Sequence, residues 1–309
     1  DRFRHPAPAE IQEIRPGIAA RMRSLLFVPA DSDRKMQKGL ASGADCLFLD
    51  LEDSVAAGNK EKAREMARDF LRAMRDREPR PRLYMRVNAL DSGLTDADLD
   101  VVMQGGPDGI VQPKPLGGAD LQHLSNKIAV REAENNLPDG ATRVIVITTE
   151  TAGSLFHMGS YVGASRRLAG LTWGAEDLSA DLGAETSRLP DGTYTPPYVL
   201  ARNLALFAAH AARVQAIDTV YPNFRDEAGF RRECEAARRD GFTGKMAIHP
   251  AQVSIINEVF TPPEAEVAHA RAVVEAFARE PDAGVIGIGG EMYDRPHLER
   301  ARRLLARLG

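Results

Sequence analysis

Eight short runs along the chain are almost continuously apolar or β-branched: residues 24–29, 46–51, 83–87, 109–112, 144–148, 170–173, 216–220 and 245–248. Each is four to six residues long and is bounded by proline, glycine or charge. Strands covered on both faces read this way, because neither side meets water. Between the runs the apolar period changes. Ala63, Met66, Ala67, Phe70, Leu71 and Met74 fall at i, i+3, i+4, i+7, i+8 and i+11, one stripe along a helix. Residues 200–214 and 226–240 read as two further helices, the second closed by Gly241, where a left-handed C-terminal residue belongs. Pro250 suits the first turn of another, which buries Val253, Ile256 and Phe260.

Strands alternating with helices eight times predict a parallel sheet, and eight units close most naturally into a barrel. An open doubly wound sheet is the rival, but no G-x-G-x-x-G follows the first strand. The expected fold is α/β, a TIM (β/α)8 barrel with a C-terminal helical lid extension. The expected boundaries are an N-terminal extension over 1–22, the barrel over 23–262 and a lid or subunit-contact segment over 263–309. Within that last segment, 264–279 reads as an amphipathic helix, 284–290 as a flexible or hairpin-forming stretch and 295–308 as a final basic helix.

Composition narrows the classes. The chain has 309 residues, 43% apolar and 27% charged, with a net charge of −4 of dispersed sign. That is globular composition, with none of the basic striping of a nucleic-acid binder. No apolar run approaches the roughly 18 residues that span a membrane. Residues 1–17 are polar and lack an apolar signal core, and the chain does not begin with methionine. Cys46 lies in an apolar run and is expected to be a buried thiol; Cys234 lies in a charged helical stretch. Two unpaired cysteines suit a reducing compartment, so the expected location is cytoplasmic.

The polar chemistry gathers where the strands end, the face on which barrels build active sites. Asp50, Glu52 and Asp53 follow strand 2, Arg86 and Asn88 strand 3, Gln112, Pro113 and Lys114 strand 4, Glu150 strand 5, Glu176 and Asp177 strand 6, and His249 strand 8. Glu150 and Asp177 end neighbouring strands. Two carboxylates with room for water suit Mg²⁺, or Mn²⁺, which prefer oxygen ligands. Both can equally be helix N-caps, and one residue of register decides between Asp177 and Glu176. Arg86 can clamp a carboxylate or steady an enolate, or simply pair with the strand-2 acids. Glu52 and Asp53 can orient Arg86 or accept from metal-bound water, or cap a helix. Lys114 raises a metal-free rival, a Schiff base. His249 can be a base, though a structural histidine beside Pro250 is the plainer reading. The glycines at 287–290 lack the Lys-Ser/Thr of a phosphate loop.

At these residues the chain resembles a known family. The stretches FLDLEDSV, MRVNALDSG, TTETAGSL, TWGAEDLSADLGA and GFTGKMAIHPAQV are similar to those of the citrate lyase β-subunit-like CoA-ester lyases, from about Arg23 to the C-terminus. The resemblance implies a Mg²⁺-dependent barrel that forms a homotrimer or hexamer. Its metal ligands would be Glu150 and Asp177, its active-site arginine Arg86, and its acidic pair Glu52 and Asp53. Backbone N–H groups near Gly174 and Ala175 would hold the keto-acid carboxylate, with Pro113 a further substrate contact. Arg34 and Lys35 would meet CoA phosphates. The stretch GGEMYDRPHLERA resembles the lid of longer members, in which an aspartate, here Asp294, reaches a neighbouring subunit's active site. Tyr293 departs from the pattern, since that position is often aliphatic. The lid favours a free-standing lyase over a citrate lyase subunit.

The implied reaction joins or cleaves a 3-hydroxyacyl-CoA thioester of malyl, citramalyl or citryl type. It gives an acyl-CoA and glyoxylate, pyruvate or oxaloacetate. A malyl-CoA-type thioesterase, a citrate lyase β subunit acting on a citryl thioester carrier, and a non-catalytic CoA-ester-binding protein are the alternatives. No nucleic acid or membrane partner is expected.

Overall fold

Eight parallel strands close on themselves in chain order in the computed structural model, which describes Met22–Leu308. They are β1 (Ser24–Pro29), β2 (Cys46–Asp50), β3 (Arg82–Arg86), β4 (Gly109–Gln112), β5 (Arg143–Ile147), β6 (Leu168–Thr172), β7 (Gln215–Asp218) and β8 (Gly244–Ala247). The ring shuts where β8 pairs with β1, Leu26 opposite Ala247. The fold is therefore a TIM barrel. Several strands begin one or two residues before the apolar runs and end before them. Polar first residues such as Arg82, Arg143 and Gln215 still make ladder pairs, while Leu51, Val87 and Trp173 rise beyond the paired rim.

Helices α1 (Asp33–Leu40), α2 (Lys60–Met74), α3 (Thr95–Val102) and α4 (Gly118–Glu134) follow the first four strands. The stripe read on α2 is the buried one: Ala63, Ala67, Phe70, Leu71 and Met74 all face the core. The β5–β6 connection departs from expectation. It is a run of 3₁₀ turns, Gly153–Tyr161, rather than an α-helix. Gly153 and Gly159 weaken helix propensity there, and the Ser154 and Ser160 hydroxyls donate to the carbonyls of Thr151 and His157 three residues back. Two helices, α5 (Glu176–Leu182) and α6 (Pro196–Ala211), then bridge β6 to β7. Helix α7 (Glu227–Asp240) is capped by the Asp226 carboxylate and stopped by Gly241 at φ 114°, a conformation open to glycine. Helix α8 (Ala251–Phe260) buries Val253, Ile256 and Phe260 as expected.

Two apolar layers result. Leu25, Cys46, Phe48, Tyr84, Val111, Ile145, Ile217 and Met246 fill the barrel's interior. A larger cluster, with Leu47, Leu83, Ile110, Val146 and Trp173, joins the outer strand faces to the helices. Each such side chain contributes roughly 1.5–3 kcal/mol by leaving water. Both cysteines are free and buried, and burial pushes the Cys234 thiol up to about 12.

The residues from Pro262 onward form a compact unit of their own. Helix α9 (Glu264–Arg279), an antiparallel hairpin of β9 (Val285–Ile288) and β10 (Glu291–Asp294), and helix α10 (Arg295–Ala306) make it up. It has a separate small core of Ala270, Val273, Phe277, Ile286, Tyr293 and Leu298. The glycines at 289 and 290 are simply the hairpin turn, both with positive φ. The extension expected over 1–22 lies outside the described residues, apart from Met22. No described helix is long and apolar enough to cross a membrane.

Candidate active site

The strand register builds the site. Asp50 and Arg86 end β2 and β3 directly opposite each other. Their side chains form a two-pronged ion pair, with Arg86 Nε and Nη2 each 2.7 Å from an Asp50 oxygen. Arg86 Nη1 lies 2.8 Å from Glu52 and 3.5 Å from Asp53, in the turn after β2. The guanidinium also sits over the Phe27 ring, 4.9 Å from its centre. That turn is itself pinned: Lys60 Nζ donates to the carbonyls of Leu51 and Glu52 and to Asn88 Oδ1.

On the next strands, Thr149 clamps the ends of β5 and β6. Its hydroxyl donates to the Gly174 carbonyl and accepts from the Gly174 N–H. A second tie joins the loop after β5 to α5, where Ala152 N–H donates to Asp181 at 2.7 Å. These ties bring Glu150 and Asp177 to one place. Gly174 is needed there for space, since a Cβ on it would lie 3.0 Å from Glu150 Cγ. Asp177 faces this cluster, whereas Glu176 is exposed and makes no ion pair there. Lys114 stands in the middle. Its N–H donates to Glu150, and its ammonium lies 2.6 Å from Glu52, 3.2 Å from Asp53 and 3.4 Å from Asp177.

The strands that carry these residues lie within the span that matches a known family. The HpcH/HpaI aldolase/citrate lyase family model covers residues 23–250. The chain belongs to the HpcH/HpaI aldolase/citrate lyase family. It is thereby a lyase-family enzyme. Among its relatives, the citrate lyase subunit beta of Escherichia coli K12 is 37% identical over 290 residues, covering 92% of each chain. A (3S)-malyl-CoA thioesterase of Cereibacter sphaeroides is 34% identical over 290 residues, covering 92% of this chain and 94% of its own. The crystal structure of Mycobacterium tuberculosis CitE with magnesium, acetoacetate and coenzyme A superposes with a TM-score of 0.73. The two share 30% identity over 94% of this chain and 98% of that one. At that coverage, chain length does not separate citrate lyase β subunits from this aldolase/citrate lyase member, so the lid's presence loses its weight for a free-standing enzyme.

The electrostatics of this cluster are uneven. Burial pushes the Glu150 carboxyl well above its ordinary range, and the negative charges of Asp177 and Glu52 push it further. The Lys114 N–H and the more distant Arg86 charge work the other way without reversing it. Glu52 is likewise raised by burial, against the pull of Arg86 and Lys114. Burial also raises Asp50, but the Arg86 hydrogen bonds and charge outweigh it and hold that carboxyl below its ordinary value. For Lys114, burial works downward, yet the bond to Glu52 and three nearby carboxylates raise the ammonium above its ordinary value. A Schiff-base lysine needs the opposite shift, so the metal-free rival loses its nucleophile.

The other candidates have different surroundings. Arg34 and Lys35 are exposed on the first turn of α1 and make no ion pair among the described residues. The His249 ring accepts from Ala251 N–H and stacks on Phe224 with centres 4.5 Å apart, a structural role. The Gly174 N–H is taken by Thr149, and Pro113 is buried beside Lys114. In the separate C-terminal unit, Asp294 is the N-cap of α10 and lies 2.5 Å from His297 Nδ1. In the sequence Asp50 stands among the strand-2 acids without a role of its own and Lys114 only as a Schiff-base candidate, so neither ion-pair role was read. Their strand-end positions were visible, but their partners depend on which way each side chain leaves the rim.

Proposed function

We propose that the chain is a Mg²⁺-dependent carbon–carbon lyase of 3-hydroxyacyl-CoA thioesters of malyl, citramalyl or citryl type. It yields an acyl-CoA and a 2-keto acid, or runs the reverse Claisen-type condensation. One observation carries the reading: Glu150 is a buried carboxyl close enough to Asp177 to feel its charge, and among the described residues it has no ion-pair partner. Such a carboxyl is costly unless a cation joins it. Among the described residues no three acids, histidines or cysteines form a metal cluster, so Glu150 and Asp177 would leave most of a six-oxygen shell to water and substrate. That donor set fits Mg²⁺, and Mn²⁺ in its place. The ion would supply Lewis-acid stabilisation of the oxygen that becomes the keto group.

The chain's own residues do the rest. Ala175 N–H and Pro113 border the keto-acid end. Asp50 fixes the plane of Arg86 and leaves the outer Nη2 hydrogen for a substrate oxygen that gains charge. On cleavage the substrate hydroxyl gives its proton to water, and the C–C electron pair passes to the thioester's α-carbon. Asp294 of another copy in a homotrimer or hexamer returns a proton to that carbon. Glu52 and Asp53 keep Arg86 oriented, and Arg34 and Lys35 meet the CoA phosphates. Free buried thiols at Cys46 and Cys234 support a cytoplasmic setting.

The 34% identity to a malyl-CoA thioesterase supports a second reading, in which water attacks the thioester carbonyl and malate leaves intact. Titration calorimetry tests the metal pair that both readings share. Asp177→Ala is expected to lose Mg²⁺ binding and activity while circular dichroism stays native. Full Mg²⁺ affinity in that variant would overturn the assignment.

A further inference from the structure

Lys114 has a left-handed backbone, φ 51°, which L side chains rarely adopt. Glycine would take that turn at less cost. A strained residue kept at a site points to its side chain as the reason. From this turn the two ends of Lys114 reach both halves of the acid cluster. The N–H donates to Glu150, and the ammonium reaches Glu52, Asp53 and Asp177. Five carboxylates meet here: Asp50, Glu52, Asp53, Glu150 and Asp177. Two cations, Arg86 and Lys114, answer them, so five minus two leaves an excess of three acids. Arg86 is already committed to Asp50 and Glu52. Among the described residues, Lys114 is therefore the cation that pairs with Asp177.

We propose that Lys114 is the resident cation of this cluster and competes with the divalent ion. Its ammonium holds Asp177 in place while no ion is bound. On binding it yields Asp177 and remains on Glu52 and Asp53. The inference rests on Glu150 and Asp177 being the metal pair. Like charges a few ångströms apart repel, so the ammonium weakens metal affinity while it keeps the metal-free site from springing apart. Removing it has opposite effects on the two states: the metal-free protein loses stability and the ion binds more tightly.

The test uses the full chain, with Mg²⁺ titrated calorimetrically and melting followed in EDTA and in saturating Mg²⁺. Lys114→Met removes the ammonium. Lys114→Gly removes it too but relieves the turn while keeping the N–H to Glu150, and it decides the matter if the two variants differ. Mg²⁺ affinity is expected to rise about tenfold, with a wider gap between the two melting temperatures than in the wild type. Equal or weaker Mg²⁺ binding by the glycine variant, with wild-type binding intact, overturns the role of Lys114 and leaves the metal pair standing. Absence of Mg²⁺ binding by the wild type removes the metal pair and this inference together.

Discussion

Asp294 carries two roles that a single substitution can pull apart. Its carboxylate caps α10, accepting from the His297 N–H, and it is the proposed proton donor to the acyl carbon. Asparagine caps helices about as well as aspartate but does not exchange protons in this way. Asp294→Asn is therefore expected to hold the melting free energy within about 0.5 kcal/mol. Deuterium exchange into the acyl-CoA methyl group should fall about 100-fold or more. Unchanged exchange would take Asp294 out of the chemistry. Which residues stand at the mouth was legible in the sequence, because an apolar run that breaks into charge marks a strand end. Arg86, Glu52, Asp53, Glu150 and Asp177 all stand at such breaks. What each one touches was not legible. Asp50 sits opposite Arg86 because β2 and β3 pair in that register, and Lys114 reaches three acids because its backbone turns left-handed. Neither fact leaves a mark in composition or spacing.

Behind the mouth, charge couples the elements. Asp218 at the end of β7 and Lys245 on β8 are register partners, and their side chains meet at 2.6 Å with Lys245 wholly buried. Trp173 Nε1, one residue before Gly174, donates to the same carboxylate, and Glu233 on α7 joins Lys245 at 2.8 Å. The β6 end that presents Gly174 and Asp177 is thus braced from outside the barrel. Removing one member of such a network leaves a buried charge short of its partner. Asp218→Asn is expected to cost about 3–5 kcal/mol in urea denaturation. A loss below about 1 kcal/mol would mean that Glu233 alone suffices. The sign with pH follows from Asp218. Burial raises its carboxyl, but Lys245 and Arg202 outweigh this and hold it below the ordinary 3.8. Its contribution is full above pH 3.8 and drains away as pH falls through the lower folded value. The variant should lose that part of its acid sensitivity. Strands and most helices were legible because period alone defines them. The 3₁₀ stretch after β5 was not, since glycine and serine hydroxyls decided it locally.

At the scale of the whole molecule, a barrel and a separate C-terminal unit divide the proposed labour. The barrel's family is known, and its rim gathers acids around one lysine and one arginine. The C-terminal unit holds one further acid as a helix cap. Barrel rims of this build support several outcomes on one scaffold, as the lyase and thioesterase names of the relatives attest. Product identification therefore bears most directly on the central claim. Malyl-, citramalyl- and citryl-CoA are each incubated with the protein in Mg²⁺ and in EDTA, and the products are resolved by mass. With Mg²⁺, at least one ester should give an acyl-CoA and its 2-keto acid, and EDTA should abolish the reaction. Free CoA with intact malate or citramalate, or cleavage undiminished by EDTA, would contradict the account.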